Sequence, residues 1–252
     1  MHRKHIYCAG TTAAIQFAEA ALRNSGFSVI REPHWNTGHL LLDVPSFRDN
    51  QTLRSGGNID TLLNSLPKDI VIWGGNLTDQ ITGNYMTIDL LKDELYLAKN
   101  AAITADCALQ ITSPLLTGTW QDSPSLVIGW GRIGKCLSRM LKALGNNVTV
   151  AARNPAARAA LVSLGYQAAD PGTIQEDAEK YRVVFNTVPF PIIQEADAES
   201  WKHCIKIDLA SQKGIFCEDV VWARGLPGIY APESSGKLIA ETFSRLWKEI
   251  TE

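Results

Sequence analysis

The stretch Ser125-Leu-Val-Ile-Gly-Trp-Gly-Arg-Ile-Gly134 constrains the fold most strongly, because an apolar strand runs into three spaced glycines and straight on into a helix. Each glycine has its own physical task. In a turn of this kind Gly129 permits the tight reversal, Gly131 lets the backbone approach a pyrophosphate, and Gly134 lets helix and strand pack closely. The helix N-terminus then offers free N–H groups and a partial positive charge to the phosphates. The context agrees on both sides. From Lys135 to Leu144 apolar residues recur at Leu137, Met140, Leu141 and Leu144, the spacing of a helix, and Val148-Thr-Val-Ala-Ala152 reads as the next strand. Gly129, Trp130, Gly131, Arg132, Ile133 and Gly134 are therefore the expected contacts to a dinucleotide, against the blander reading of a glycine-rich turn without ligand.

The end of the second strand decides which dinucleotide. An acid there accepts hydrogen bonds from the ribose hydroxyls of NAD, whereas a basic residue accommodates the extra phosphate of NADP. The strand ends in Ala152-Arg153-Asn154 with no acid in that stretch, which favours NADP over NAD. The bland alternative makes Arg153 an exposed loop charge.

A chain of 252 residues with 45% hydrophobic content can bury one large core or two modest ones. Its net charge of -2 speaks against a nucleic-acid binder. The basic start, Met-His-Arg-Lys-His, precedes an apolar run that Thr11, Thr12, Gln16 and Glu19 soon interrupt, so it reads as the first strand and helix rather than a signal peptide or membrane span. Cys8, Cys107, Cys136, Cys204 and Cys217 are scattered without disulfide or metal-ligand spacing, and four of the five histidines crowd the N-terminus, so no metal is expected and the cytoplasm is the natural compartment.

Strand and helix signals alternate along the first part: a strand from Ile6, a helix through Arg23, strands at Phe27–Ile30, Leu40–Val44 and Asp69–Trp73, the last leaving through Gly74-Gly75-Asn76. Such alternation implies a parallel sheet covered by helices. The polar, glycine-bearing segment between Pro45 and Leu66 is expected to be a mobile loop, Ile88 to Asn100 reads as a helix or a helix then a strand, and Thr104 to Leu116 reads as a connecting helix. Later strands are expected at Arg182–Phe185 and Ile205–Asp208, and a last helix from Ser234 to Glu249. The expected fold is α/β, with two Rossmann-like parallel-sheet domains, an interdomain cleft, and a C-terminal domain that binds the dinucleotide. The boundaries are 1–103 for a substrate-side domain, 104–233 for the dinucleotide-binding domain with its connecting helix, and 234–252 for a helix packing back across the domain boundary.

Three loops narrow the reading further: Asn186-Thr187-Val188-Pro189, Asp208-Leu209-Ala210-Ser211, and Gly225-Leu-Pro-Gly-Ile-Tyr-Ala-Pro232. In an open parallel sheet such loops, beyond the carboxyl ends of the strands, line the ligand crevice. Together with Gly129–Gly134 and Ala152-Arg153, their order resembles the A subunit of dipicolinate synthase, most clearly from about Thr104 onward. In the N-terminal part the resemblance holds in outline, through Asp43-Val-Pro45-Ser46 and Trp73-Gly74-Gly75-Asn76. This chain looks shorter there, and it lacks the Pro before Thr104 and the Glu at Asp106 that the family shows. The resemblance implies NADP-linked dehydrogenation of a dihydrodipicolinate-type ring, an activity associated with sporulation, a small dicarboxylate as substrate and a flavoprotein partner, and it is compatible with a homo-oligomer. Pro45, Ser46, Gly74, Gly75, Asn76, Pro227, Gly228, Ser234 and Ser235 are then the substrate-side candidates, with Pro227 and Gly228 shaping a loop over the nicotinamide. Arg48, Arg54 and Lys237 are the cations available to a dicarboxylate, although each also reads as an ordinary surface charge. No general base is identified, and His203 is placed at the wrong end of its strand. Two other readings stay open. A D-2-hydroxyacid-dehydrogenase-like enzyme would need a late histidine, and none follows His203; a non-catalytic NADP-binding sensor or partner protein would need only the glycine turn.

Overall fold

The computed structural model describes residues 5–49 and 52–251, and the chain divides into two compact units, Met1–Asn100 with Pro227–Glu252 and Ala101–Leu226. In chain order the elements are β1 (His5–Cys8), α1 (Ala13–Asn24), β2 (Ser28–Ile30), β3 (Thr37–Leu41), α2 (Ile59–Asn64), β4 (Val71–Gly74), α3 (Asp79–Thr82), β5 (Met86–Asp89) and α4 (Glu94–Thr112). There follow β6 (Ser125–Ile128), α5 (Arg132–Ala143), β7 (Val148–Ala151), α6 (Pro155–Ser163), β8 (Gln167–Ala169), β9 (Val183–Asn186), β10 (Ile205–Asp208), β11 (Val221–Trp222), α7 (Leu226–Tyr230) and α8 (Pro232–Thr251).

The first unit is built on a sheet of order β2-β1-β3-β4-β5, with every pairing parallel. Strand β3 is buried along its whole length, as expected of a parallel sheet covered on both faces. Helix α1 turns Ala14, Ile15, Ala18 and Leu22 inward, a spacing set by the helical period. Helix α8 packs on it at Gly236, where a Cβ would stand 2.3 Å from the Ala14 carbonyl oxygen, so glycine is what allows the two backbones to approach.

The second unit has the sheet order β11-β10-β9-β6-β7-β8, again parallel throughout. Strands β6, β7 and β9 are buried at every position. The chain runs from β6 outward through β7 and β8, then returns to β9 on the other side of β6, which makes the β6–β9 gap the switch point of the sheet.

Several local expectations change. The segment after Pro45, expected to be a mobile loop, carries regular pairing among its described residues, Asn50 and Gln51 lying outside them. Antiparallel bridges pair Phe47 with Leu53 and Thr52 with Asn58, and α2 follows; Leu53, Ile59 and Leu63 are buried with Leu40 and Ile72. Those apolar side chains outweigh the polar residues between them. The stretch from Ile88 contains the end of β5, and a single helix, α4, then covers both segments read as separate. The Gly225–Pro232 loop holds a short helix, α7, and α8 begins at Pro232, so Ser234 and Ser235 lie within its first turn instead of capping it. Proline suits the first helical position because its missing N–H would be unbonded there anyway.

In the first unit His39 on β3 sits under α8. The indole Nε1 of Trp73 approaches its Nδ1 at 3.2 Å and that of Trp247 its Nε2 at 3.3 Å, while the rings of Trp73 and Phe243 lie 6.0 and 5.9 Å from it. Burial pushes its pKa down to about 4. An exposed imidazole in the unfolded chain titrates near 6.5, so the unfolded state binds the proton first. Stability should therefore be constant above about pH 6.5 and fall as the pH drops toward 4, by about 3 kcal/mol from this residue. Urea unfolding at a series of pH values should show that loss, and His39→Leu should remove this component.

Candidate functional site

At the β6–β9 switch point the three glycines behave differently, and the difference is geometrical. Gly129 has φ +107°, and a Cβ there would stand 2.3 Å from Thr187 Oγ1 and 2.8 Å from Val188 Cγ1. At Gly134 a Cβ would stand 2.1 Å from the Gly129 carbonyl oxygen. Both glycines are required by the protein's own packing. Gly131 is not: its φ is -83°, open to any residue, and a Cβ would meet nothing within 4 Å. A glycine that neither backbone strain nor packing demands leaves space above the start of α5, and the N-terminus of this 12-residue helix, with its partial positive charge, lies there. The turn thus leaves room on its open side for a group of pyrophosphate size.

Beside the turn lies a cavity of about 720 Å³. One wall is Ile128, Gly129 and Trp130, a second is Ala152, Arg153, Asn154 and Ala157, and a third is Val188, Phe190, Pro191 and Ile192. The structure therefore brings the glycine turn, the end of β7 and the loop after β9 to one place. Arg153 is exposed, with its guanidinium 5.3 Å from the centre of the Phe190 ring. Asn154 is the N-cap of α6, its Oδ1 accepting from the Ala156 N–H at 2.8 Å. Arg132 and Ile133 form the first turn of α5, Arg132 being exposed. Trp130 packs edge-on against Tyr166, with Lys135 Nζ 5.8 Å from its ring.

The loops after β9 and β10 are fixed from inside. Asn186 and Asp208 are both 0% exposed. Asn186 Nδ2 donates to Asp208 Oδ1 at 2.9 Å and to the Val188 carbonyl at 3.0 Å, and its Oδ1 accepts from the Val188 N–H at 3.1 Å. Asp208 further accepts from the N–H groups of Ala210, Gly214 and Ile215 at 3.0, 2.6 and 3.0 Å. Their side chains shape these loops and are spent in doing so. Thr187 Oγ1 donates to the Ile128 carbonyl at 2.8 Å and so ties β9 to β6 beside Gly129. Leu209 and Ala210 are buried, and Pro189 and Ser211 are exposed.

In the first unit the substrate-side candidates form a knot at the ends of β3 and β4. Ser46 is buried, its Oγ donating to the Asp43 carbonyl at 2.8 Å and accepting from the Gly75 N–H at 3.0 Å. Cβ atoms at Gly74 and Gly75 would collide with Ser46 Oγ and with Val44 and Leu91. Packing alone therefore explains both glycines. Pro45 is half-buried, and Asn76 is exposed with φ 55°. Arg48 donates to the Arg54 carbonyl at 3.0 Å, and Lys237 pairs with Glu233 at 2.5 Å. Ser234 is exposed and Ser235 buried; a Cβ at Gly228 would meet nothing within 4 Å, and Pro227 is buried. At the β1–β3 switch point of this sheet stands Asp43. Its carboxylate accepts from the N–H groups of Thr11 and Thr12 at 3.3 and 3.1 Å and from Thr12 Oγ1 at 2.6 Å, at the start of α1.

Sequence reasoning missed the cavity walls at Ala157, Pro171, Phe190, Pro191 and Ile192, and it named Asp43 only within a loop resemblance, without its role at the start of α1. The run Phe190-Pro-Ile192 directly after a ligand-side strand end was the available signal. His203 precedes β10 and so lies at the opposite end of the sheet from the turn. Among the described residues no cluster of His, Cys, Asp or Glu could hold a metal ion, and no helix is long and apolar enough to cross a membrane.

A family model described as NADP oxidoreductase, coenzyme F420-dependent, matches residues 126–212. The chain is 32% identical over 141 residues to the A subunit of dipicolinate synthase from Bacillus subtilis, covering 52% of this chain and 48% of that protein. The chain thus spans about half the length of the curated relative it matches. Among solved structures, the A subunit of dipicolinate synthase from Bacillus halodurans superposes with a TM-score of 0.84 at 20% identity, over 97% of both chains. The corresponding structure from Bacillus subtilis gives 0.81 at 21% identity, over 100% of this chain and 97% of that one. The resemblance read from the sequence is the one these comparisons return, and the fold is the two-sheet α/β fold of a dinucleotide-binding protein.

The unequal roles of the glycines are directly testable. Gly134→Ala should lower stability by about 3 kcal/mol, since its methyl collides with backbone that cannot move aside. Gly131→Ala should stay within about 0.5 kcal/mol of the parent. Chemical denaturation of the two variants measures both, and equal destabilisation would contradict the open face at Gly131.

Proposed function

We propose that this chain is an NADP-dependent oxidoreductase that dehydrogenates a dihydrodipicolinate-type ring to the aromatic dicarboxylate. The observation that carries the cofactor half is the space left at Gly131 above the start of α5, next in the chain to Gly129 and Trp130 of a cavity walled also by Arg153. The turn N–H groups hold the pyrophosphate there, and Arg153 meets the phosphate on the ribose through charge-assisted hydrogen bonds. Thr187 and Val188, anchored by Asn186 and Asp208, set the position of the nicotinamide. When bound, the nicotinamide supplies the hydride acceptor, and the proton lost as the ring becomes aromatic goes to water.

The substrate half is supported by the likeness to the A subunit of dipicolinate synthase. Of the residues read as substrate-facing, Asn76, Gly228 and Ser234 keep an exposed or open position and are the ones we retain. Ser235, Gly74 and Gly75 are accounted for by packing. A partner of the flavoprotein type and action in the cytoplasm, where the five free cysteines would stay reduced, complete the reading.

Calorimetric titration of the purified protein with NADPH and NADH, followed by turnover of freshly generated dihydrodipicolinate, tests both halves. NADPH should bind more tightly than NADH, and NADPH should form as substrate is consumed. Binding without turnover, with or without the flavoprotein partner, would leave a cofactor-binding sensor; no binding would sink the cofactor half. Arg153→Ala should weaken NADPH roughly ten- to a hundredfold and leave NADH unchanged, because only NADPH carries the phosphate. Gly131→Ala should weaken both cofactors alike, since they share the pyrophosphate.

A further inference from the structure

Behind the Arg153 wall of the cavity lies an ion pair that the sequence did not suggest. Arg158, on the first turns of α6, folds back so that its Nη1 donates to the carbonyls of Ala152 and Arg153 at 2.7 and 2.9 Å and meets Asp170 Oδ2 at 2.9 Å. Asp170 follows β8, the strand beside β7, and its Oδ1 accepts from the Gly172 N–H at 2.9 Å. The chain neighbours of the pair, Ala157 and Pro171, line the cavity. The Arg158 side chain is 23% exposed and that of Asp170 46%, so neither charge is sealed from solvent beside that wall.

We infer that Arg158 is a positioning residue that sets the preference for NADP over NAD by neutralising Asp170. The inference rests on the reading of this pocket as an NADP site. A free carboxylate beside the end of β7 offers what the ribose hydroxyls of NAD seek, a hydrogen-bond acceptor, and repels the phosphate of NADP. Here the acceptor is occupied by a guanidinium. The same guanidinium fixes the two carbonyls around Arg153 and so fixes the backbone from which Arg153 reaches. Arg153 on the wall, with the Arg158–Asp170 pair behind it, leaves this side of the pocket with a net positive charge at which a phosphate is welcome.

The test is a double-mutant cycle read by calorimetric titration with NADPH and NADH. Arg158→Gln should weaken NADPH about tenfold, the size of one charged contact, while NADH changes by less than about threefold or tightens. Adding Asp170→Asn to that variant should recover most of the NADPH loss, because the unpaired carboxylate is then gone. Asp170→Asn alone should tighten NADPH, and Arg158→Lys, which keeps the charge, should keep the preference. Equal losses of both cofactors in Arg158→Gln, or no recovery in the double variant despite an unchanged circular dichroism spectrum, would overturn the inference while leaving NADP binding by the parent intact. A parent protein that binds neither cofactor would instead overturn the underlying reading, and the inference with it.

Discussion

The second unit depends on one close approach, that of the first turn of α5 to the backbone of the turn after β6. A Cβ at Gly134 would stand 2.1 Å from the Gly129 carbonyl oxygen, so helix and strand can meet only where side chains are absent. From the other side Thr187 leans over Gly129 and donates to the end of β6. Strand, turn, helix and the neighbouring strand β9 are thereby fixed to one another at the point where the sheet reverses its order. A crevice held this rigidly meets a ligand with its N–H groups already oriented, and the entropy of ordering them belongs to folding rather than to binding.

The asymmetry between binding backbone and buried side chain runs through the whole site. Asn186 and Asp208 stand at strand ends where exposed polar groups would touch a ligand, yet they bond each other and four backbone N–H groups of the adjoining loops. They decide the shape of the crevice from beneath it. The groups left facing the cavity are largely backbone, apolar walls and Arg153. That pattern suits a cofactor recognised by its phosphates and its flat rings, for which preorganised dipoles and apolar surface count for more than a dense set of polar side chains.

How much of this was legible in the sequence follows from where each signal lives. The glycine turn, the strands around it and the basic end of β7 were readable because their determinants are local: a period, a φ requirement, a charge at a fixed offset. Short strands such as β5, β8 and β11 were not read, since two to four residues pair only because a neighbouring strand is already in place. The segment after Pro45 was read as loop because polar residues outnumber Leu53, Ile59 and Leu63, whereas burial of those three decides its structure. The inward turn of Asn186 and Asp208 and the capture of Asp170 by Arg158 depend on residues distant in sequence, for which one chain carries no periodic trace. Asp43 was noticed only as part of a loop resemblance. Its partners, Thr11 and Thr12, lie at the start of α1, far away along the chain.

Asp43 carries a consequence for stoichiometry. Both sheets are doubly wound and each has a switch point, in the first between β1 and β3 and in the second between β6 and β9. In the second, the space beside Gly131 at the start of the helix is open to a Cβ; in the first, the corresponding N–H groups already bond a carboxylate from the same chain. The first crevice has been supplied with an internal anion at synthesis. Two topologically equivalent places are therefore not equivalent for a phosphate, and the proposed function implies one equivalent of dinucleotide per chain rather than two.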